Sequence, residues 1–531
     1  MERVAIDFET TGLNPRKDKL RLITTKCESR TEIWDCFKHS VDDTRNYLTR
    51  LSERPLIAHN LKFEAAWIFH LTGRHVHQDS WCTARAERVA QNGNGVKLGL
   101  WSTAGRHGCE IDTSNDQQMS DWSCPDLTAD QLRYAAEDVQ HLHFIAAKQP
   151  NLYPARLDMR CIPTEVEMEK NGIQLDTEKW MALSKKAEIA AQIEATLLDW
   201  DEEGINFNSP KQVLKWLKSC GLSVDKTSTT DLVYIDIPEV RTLLKLRKLR
   251  KLATSYGSDW LARFLEKDGA IHTSLSPRTE TGRYSSSSPN LQQIPRDKQY
   301  RDCFKASPGM ALVGADYSAI ELRVAAFLAN ERVMLGAFER GEDVHKFTST
   351  LLFNIPADSV TKQQRQTSKA LSFGLLYGMG AQKLMLYAKQ GYGVDMSLSE
   401  ATELRNRFFR TYPALRRWQG AESRIGQLRQ YAVTYFGRRR ALDPLDYTSY
   451  LNTAVQGTAA DIMKQALVAL ASHPTFVRPL LTVHDEIILE CPSNKVCETK
   501  AFLKECMVDK VELSGLVDVE VKSGQTWGDC H

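Results

Sequence analysis

Two residue groupings in this chain could do chemistry: a helix-spaced row of cations and aromatics, and carboxylates at the ends of apolar strands. The row is Arg365, Lys369, Phe373 and Tyr377, spaced four apart. Steps of four advance an α-helix by slightly more than one turn, so these side chains form a drifting line along one side. That line runs from cationic to aromatic. Such a gradient suits a nucleoside triphosphate lying along the helix, phosphates at the Arg/Lys end and base at the Phe/Tyr end. It equally suits an amphipathic helix with a wet edge and a buried aromatic edge. Gly374 and Gly378 interrupt the helix, each costing roughly 1 kcal/mol against Ala in a helix interior. A close approach of backbone to ligand, or a bend, would justify them.

The carboxylates fall into two sets. In the first, an apolar strand from Met310 ends in Asp316, and a polar turn leads into a helix bearing Glu321. Far downstream, His484-Asp485-Glu486 sits between two apolar strands. Acidic residues at the turn of an apolar hairpin are strongly disfavoured by desolvation unless a cation or donors compensate. A site for two Mg²⁺ ions supplies that compensation, because hard cations take oxygen ligands and a pair of them suits in-line phosphoryl chemistry. Asp316 and Asp485 are the expected bridging ligands; each alone reads as a turn or cap carboxylate. The second set begins with Asp7 and Glu9, on one face of a strand by its period of two. Glu64 follows in His59-Asn60-Leu-Lys62-Phe-Glu64, and Tyr134 and Asp138 stand one helical turn apart. Four carboxylates and a phenol can bind two metals and orient a water for hydrolysis.

These residues need separate scaffolds. A length of 531 residues predicts roughly three to four domains. Residues 1 to about 150 mix strand and helix patterns, beginning with a strand and ending in a helix from Thr128, its cap, to Ala147, which favours an α/β domain. Residues 151 to about 200 read as helices. Arg241 to Lys251 holds six basic residues and no acidic one, with Leu243, Leu244, Leu246 and Leu249 on one face. It reads as a solvated basic helix on a core, or as a grip on a nucleic-acid backbone. The Ser- and Pro-rich stretch Thr279 to Pro295 is expected to be extended and to lie on the surface. Net charge is only +2, which neither requires nor excludes a polyanionic partner. The twelve cysteines contain no Cys-x-x-Cys, which favours reduced thiols and a cytosolic compartment over zinc or disulfides. No signal segment is expected, because Met1 leads directly into an apolar strand, and no run is long enough to span a membrane.

In order, Thr281-Gly-Arg283, Pro289-Asn290-Leu-Gln292-Gln-Ile-Pro295, Asp316-Tyr317-Ser-x-Ile-Glu321-Leu-Arg, the Arg365 to Gly378 row, Asn452-x-x-x-Gln456-Gly-Thr-Ala-Ala-Asp-Ile and His484-Asp485-Glu486 resemble the motifs of family A DNA polymerases. This is the family of bacterial DNA polymerase I and its phage relatives. The ending Trp527-x-x-x-His531 also resembles that family, and the first 150 residues resemble its proofreading exonuclease. The resemblance covers nearly the whole chain.

It implies a multidomain α/β and α+β protein. An RNase H-like 3′-5′ exonuclease (residues 1–150) would precede a right-hand polymerase with thumb and connecting helices (151–270), palm (271–340 and 441–531) and fingers (341–440). Asp316 and Asp485 would hold the palm metals with Glu486 nearby and the Tyr317 carbonyl as a further ligand. Arg365, Lys369 and His345 would bind the triphosphate, and Lys369 could also protonate the leaving pyrophosphate. Phe373 would pack on the sugar and base, Tyr377 would fill the template base position in an open state, and Glu321 would block a ribose 2′-hydroxyl. Arg283, Asn290, Gln292, Asn452, Gln456 and His484 would face DNA, with Arg283 and Gln456 testing minor-groove acceptors common to all correct pairs. Asp7, Glu9, Glu64, Tyr134 and Asp138 would form the exonuclease site. Two Mg²⁺ per site are implied, with Mn²⁺ as a substitute. The implied partners are primer-template DNA and dNTPs, with a replisome helicase, primase or single-strand-binding protein besides.

Glu64 departs from the family pattern, which usually has Asp there. An active exonuclease is still expected, the alternative being a structural domain. The thumb is compact, without room for an insertion that recruits a processivity partner, and no 5′ nuclease domain is expected before the exonuclease. These features suggest a monomeric bacteriophage replication enzyme in the host cytoplasm. A non-catalytic nucleic-acid-binding protein, a stand-alone exonuclease and a single-subunit RNA polymerase explain fewer of the motifs.

Overall fold

The computed structural model describes residues 3–531 apart from 29, 110–116, 198–204, 223, 233, 234 and 236. Strands β1 (Val4–Thr10), β2 (Leu20–Cys27), β3 (Arg30–Asp35), β4 (Leu56–Ala58) and β5 (Trp81–Cys82) form a sheet in the order β3-β2-β1-β4-β5. The first three run antiparallel, while β1, β4 and β5 are parallel, as helix crossovers require. Their apolar faces enclose one core with Trp67, Ile68 and Val139. The long helix expected from Thr128 is two helices. Thr128 closes a capping box with Gln131 and starts Ala129–Asp138, and a break precedes Leu142–Lys148. The break leaves Val139, Leu142 and Ile145 all buried.

Beyond this domain the strands are β6 (Ile173–Leu175), β7 (Ala270–Ile271), β8 (Ser274–Ser276), β9 (Ser285–Ser287), β10 (Phe304–Lys305), β11 (Met310–Tyr317), β12 (Tyr431–Val433), β13 (Arg439–Ala441), β14 (Arg478–Val483), β15 (Glu486–Pro492) and β16 (Val519–Gly524). The sheet that matters most is antiparallel, β14-β15-β11-β16. One of its faces carries a helical layer dominated by Tyr447–Leu470, a 24-residue helix buried along most of its length. Three helices project as a finger-like layer: Lys362–Leu376, Ala381–Tyr392 and Leu398–Thr411. On the other side Thr177–Thr196 pairs along its length with Pro238–Ser255, the basic helix. Leu243 and Leu246 are buried there and Leu244 and Leu249 half-buried, so the expected apolar face is real.

The segment 279–295 corrects an expectation. It is not a surface loop, since β9 pairs with β8 and Tyr284, Ser286, Leu291 and Ile294 are buried. The helices Tyr153–Arg160 and Ile162–Asn171 form a wedge touching both the N-terminal domain and the Tyr447–Leu470 helix. All twelve cysteines are free thiols. No helix among the described residues is long and apolar enough to cross a membrane.

Candidate active sites

Strand β11, interior to the large sheet, carries Asp316 near its C-terminal end, directly opposite Glu486 on β15 and Glu520 on β16. Residues opposite one another in an antiparallel pair share a face, so three acidic side chains lie in a row. Glu520 escapes a motif-based reading; only strand register reveals it, and it pairs with Lys522 at 2.9 Å. The β14–β15 hairpin is closed by His484 and Asp485, with His484 exposed and in a left-handed conformation (φ 55°). The Tyr317 N–H donates to the Asp485 carbonyl at 3.1 Å, tying hairpin to strand. The Tyr317 side chain turns into the core, where its hydroxyl donates to the Met507 carbonyl.

Solvent reaches Asp316, yet the surrounding cleft desolvates its carboxyl and, with the Asp485 charge, pushes it up to about 6. Burial also raises Asp485, opposed by Arg283 at 3.7 Å. The one cation paired with Asp485, Arg283, is shared with Glu321 at 2.5 Å, and such desolvated, incompletely compensated acids fit a divalent-cation site. Glu486 differs. It is buried, accepts the Trp527 indole N–H at 3.2 Å, lies 3.1 Å from His531 Nε2 and is pushed up to about 8, chiefly by burial. The chain terminus therefore locks Glu486 in place. Arg296 and Arg301, unmarked by any motif, line the 280 Å³ cavity that holds these acids.

The Lys362–Leu376 helix starts with a Thr361/Gln364 capping box. Its Arg365, Lys369, Phe373 and Tyr377 are half-exposed, while Ala370, Leu371, Gly374, Leu375 and Leu376 are buried. Phe373 and Tyr377 are partly buried and pack against the main core, so the row retains features of both an open nucleotide-facing edge and an amphipathic helix. Arg365 pairs with Asp343 at 2.7 Å, and Asp343 caps the helix that carries His345. The buried His345 ring lies 5.6 Å from Phe373, its Nδ1 unpartnered, and burial depresses its pKa to about 4. The helix ends at Leu376, with Tyr377 as its C-cap, so it is shorter than the segment 365 to 378 suggests. The Tyr377 hydroxyl donates to Glu321, which also accepts from Arg283 at 2.5 Å. This chain of contacts joins the Lys362–Leu376 helix to the acids of the large sheet.

The glycines correct a second expectation. A Cβ on Gly374 would meet Leu384 Cδ1 at 2.9 Å, so this glycine serves close helix packing. Gly378 adopts φ +73° just past the C-cap and lies against Tyr447, so it terminates the helix.

Of the other residues expected to face DNA, Asn290 caps the short turn Leu291–Gln293, and Gln292 donates to the Tyr284 carbonyl at 3.0 Å. Both organise their own loop. Asn452 keeps a buried, unpartnered Oδ1, and Gln456 hydrogen-bonds Tyr377.

In the N-terminal domain, Asp7, Glu9 and Asp138 place ligand oxygens within 4.8 Å of one another. Glu64 lines the same pocket from the first turn of Lys62–Thr72 but stands outside that triplet. Burial raises all four: Glu9 to about 9, Glu64 to about 8, Asp138 to about 7, and Asp7 well upward with help from the Asp138 charge. Tyr134 hydrogen-bonds Asp138. Glu64 Oε2 and Asp138 Oδ1 are buried without partners. Acids this close cannot all ionise without a counter-charge, so the donor set fits divalent cations. Phe63, from the His59 to Glu64 motif, lines the pocket too, as do Leu13, Trp101, Met119 and Trp122, which no sequence spacing singled out. Lys62, within the predicted motif, instead reaches Glu169 at 2.6 Å and the Leu275 carbonyl at 2.7 Å, across the domain seam.

A palm-type sheet bearing paired acids beneath a cation-to-aromatic helix, beside a separate carboxylate pocket, defines a nucleic-acid polymerase joined to a nuclease. Residues 178–529 match DNA polymerase family A, and residues 1–149 match the 3′-5′ exonuclease family. DNA polymerase I of Aquifex aeolicus is 30% identical over 98% of this chain and 95% of that protein. The thermostable DNA polymerase I of Thermus aquaticus is 34% identical over 68% of this chain but 46% of its own length, so the chain spans less than half of that relative. The polymerase domain of Pol1 from M. smegmatis, solved with DNA primer-template and dNTP, superposes with a TM-score of 0.82 at 25% identity, covering 99% of this chain and 96% of that one. The chain belongs to DNA polymerase family A and carries a 3′-5′ exonuclease domain.

Proposed function

We propose that this enzyme extends a primer 3′ end on a DNA template with deoxynucleoside triphosphates and trims the same strand in its N-terminal pocket. One observation carries the polymerase reading: the desolvated pair Asp316 and Asp485 is linked through Arg283, Glu321 and Tyr377 to the cation-to-aromatic face of the Lys362–Leu376 helix. Mg²⁺, with Mn²⁺ as substitute, would be held by Asp316, Asp485 and the Tyr317 carbonyl in the palm, and by Asp7, Glu9, Glu64 and Asp138 in the exonuclease pocket. Such ions activate an attacking oxygen and neutralise charge on the leaving one. The side chains supply the rest. Arg365 and Lys369 attract the triphosphate, and Lys369 Nζ can give a proton to the departing pyrophosphate. Phe373 flanks sugar and base, and Glu321 fills the space of a 2′-hydroxyl. Arg283 and Gln456 donate to minor-groove acceptors, with Asn290, Gln292, Asn452 and His484 along the same duplex. In the nuclease pocket Tyr134, through Asp138, orients water. Free thiols support a cytoplasmic site of action.

Primer extension separates the readings. Asp485→Asn should abolish extension while leaving primer-template binding, and Asp7→Ala should abolish shortening of a labelled single strand while leaving extension. Extension that survives Asp485→Asn, or a preference for NTPs over dNTPs, overturns the polymerase reading. A purely structural exonuclease domain is the second reading, favoured by the position of Glu64 outside the acidic triplet. It predicts no shortening even in the unmodified enzyme.

A further inference from the structure

The loop that carries Arg283 is held from both sides by a buried charge network reaching into the exonuclease domain. On one side, Tyr284 is buried and its hydroxyl donates to Glu165 at 2.5 Å. Glu165, on the wedge helix Ile162–Asn171, is gripped by both terminal nitrogens of Arg85, at 2.8 and 2.5 Å. Arg85 belongs to the exonuclease helix Thr83–Ala90 and is buried together with Glu165. On the other side, Gly282 lies so close to Arg438 that a Cβ there would meet Nε at 2.7 Å. Arg438 is itself fixed by Asp158 and Asp461, each at 2.7 Å, and Lys464 joins Asp158 at 2.6 Å.

The same exonuclease helix touches the polymerase again just past its end. Asn92 donates to the carbonyls of Glu280 and Arg439 at 2.8 and 2.9 Å, and its own carbonyl accepts from the Ala441 N–H. At the other end of the helix, the Thr83 hydroxyl lies 2.9 Å from Nδ1 of His59, which lines the nuclease pocket. A single short helix therefore connects the nuclease pocket to the residues on both sides of Arg283. Buried charge pairs are weak sources of net stability compared with apolar packing, and their best-supported use is to fix one arrangement among several. Here the arrangement fixed is that of Arg283, whose guanidinium must reach Glu321 and Asp485 from a loop with little regular structure.

We infer that Arg85, through Glu165 and Tyr284, is a positioning residue for the polymerase reaction, so that the exonuclease domain forms part of the support of the synthetic site. This rests on the polymerase role proposed for Arg283. The planar fork of Arg85 is what the geometry uses, since a lysine has a single nitrogen and cannot set two parallel N–H bonds against the two Glu165 oxygens.

The test uses the full chain. Tyr284→Phe removes one hydroxyl without changing volume. It should keep the thermal midpoint and single-strand exonuclease rate while lowering kcat/KM for correct dNTP addition by about fivefold to tenfold, the worth of one hydrogen bond. Arg85→Met combined with Glu165→Met removes the buried pair without stranding a charge and should give the same loss. Repeating Tyr284→Phe in an Arg283→Ala background is the decisive arm, because a residue acting through Arg283 has nothing further to lose there. An equal loss in both backgrounds would assign Tyr284 a general structural role and overturn the inference, as would an unchanged kcat/KM in Tyr284→Phe or in the double methionine variant. If Arg283→Ala by itself extends normally, the role given to Arg283 fails instead.

Discussion

Glu321 and Phe373 show how little chemistry separates alternative sugars. Glu321 is already held by Arg283 and the Tyr377 hydroxyl, so its position against a nucleotide sugar would be set before substrate arrives. Truncating it to Ala should raise ribonucleotide use, and an unchanged dNTP to NTP ratio would remove it from the sugar contact. Phe373 has no hydroxyl to replace a missing 3′-OH, so dideoxynucleotides should be poor substrates. Phe373→Tyr supplies that donor, and a hydrogen bond to a charged group is worth about 1.5–3 kcal/mol, or roughly tenfold to a hundredfold in relative incorporation. Competition between ddNTP and dNTP in primer extension measures it, and identical termination frequencies in both enzymes would refute the contact.

At the level of elements, two glycines in one segment have opposite sensitivities. Gly378 has φ +73° and lies against Tyr447, so Gly378→Ala adds about 1–2 kcal/mol of backbone strain and a steric conflict besides. Gly374 has ordinary helical geometry, and its Cβ would meet side-chain atoms rather than backbone, the Leu384 methyl at 2.9 Å and the Tyr387 ring at 3.3 Å. Restored helix propensity, about 1 kcal/mol, offsets that crowding in Gly374→Ala. Thermal denaturation should therefore show a clear loss for the first variant and a small change for the second. If Gly374 were instead a bending point, its Ala variant would fold normally but fail in nucleotide addition.

Across the whole molecule, the seam between the two domains contains a titratable clasp. Glu167 on the wedge helix accepts from His75 of the exonuclease domain and from His473 of the polymerase part, both at 2.6 Å. Burial pushes Glu167 up, but hydrogen bonds from His473 and His75 outweigh it and hold the carboxyl at about 2. Burial lowers His473, and the Glu167 contact outweighs that and raises it. A depressed carboxyl contributes stability that is full above its ordinary value of 4.5 and lost as pH falls toward about 2. A raised histidine contributes stability that is full below 6.5 and lost as pH rises through its higher folded value. The seam should therefore be tightest between about pH 4.5 and 6.5, loosening on the acid side as Glu167 protonates and on the alkaline side as His473 loses its proton. Hydrogen exchange of the wedge helices at pH 5.5 and 8.5 would read this, and Glu167→Gln should flatten the difference. Equal protection at both values in the unmodified enzyme would count against the clasp.

Sequence alone determined the class of this protein and nominated the residues of both candidate sites. Strand-end acids and four-residue spacing are local patterns, and chemistry restricts what such patterns can do. The acidic hairpin turn and the apolar face of the basic helix were legible for that reason. Tertiary structure decided what depends on residues distant in the chain. Strand register added Glu520 beside Asp316, packing assigned Gly374 to Leu384, and the domain seam took Lys62 away from the nuclease pocket. The segment 279–295 looked like a surface loop because serine and proline report local backbone preference. It became a buried support because Glu165, Arg85 and Arg438 come to it from elsewhere in the chain. A spacing rule sees along one element, whereas burial and ion pairing join elements whose separation in sequence carries no signal.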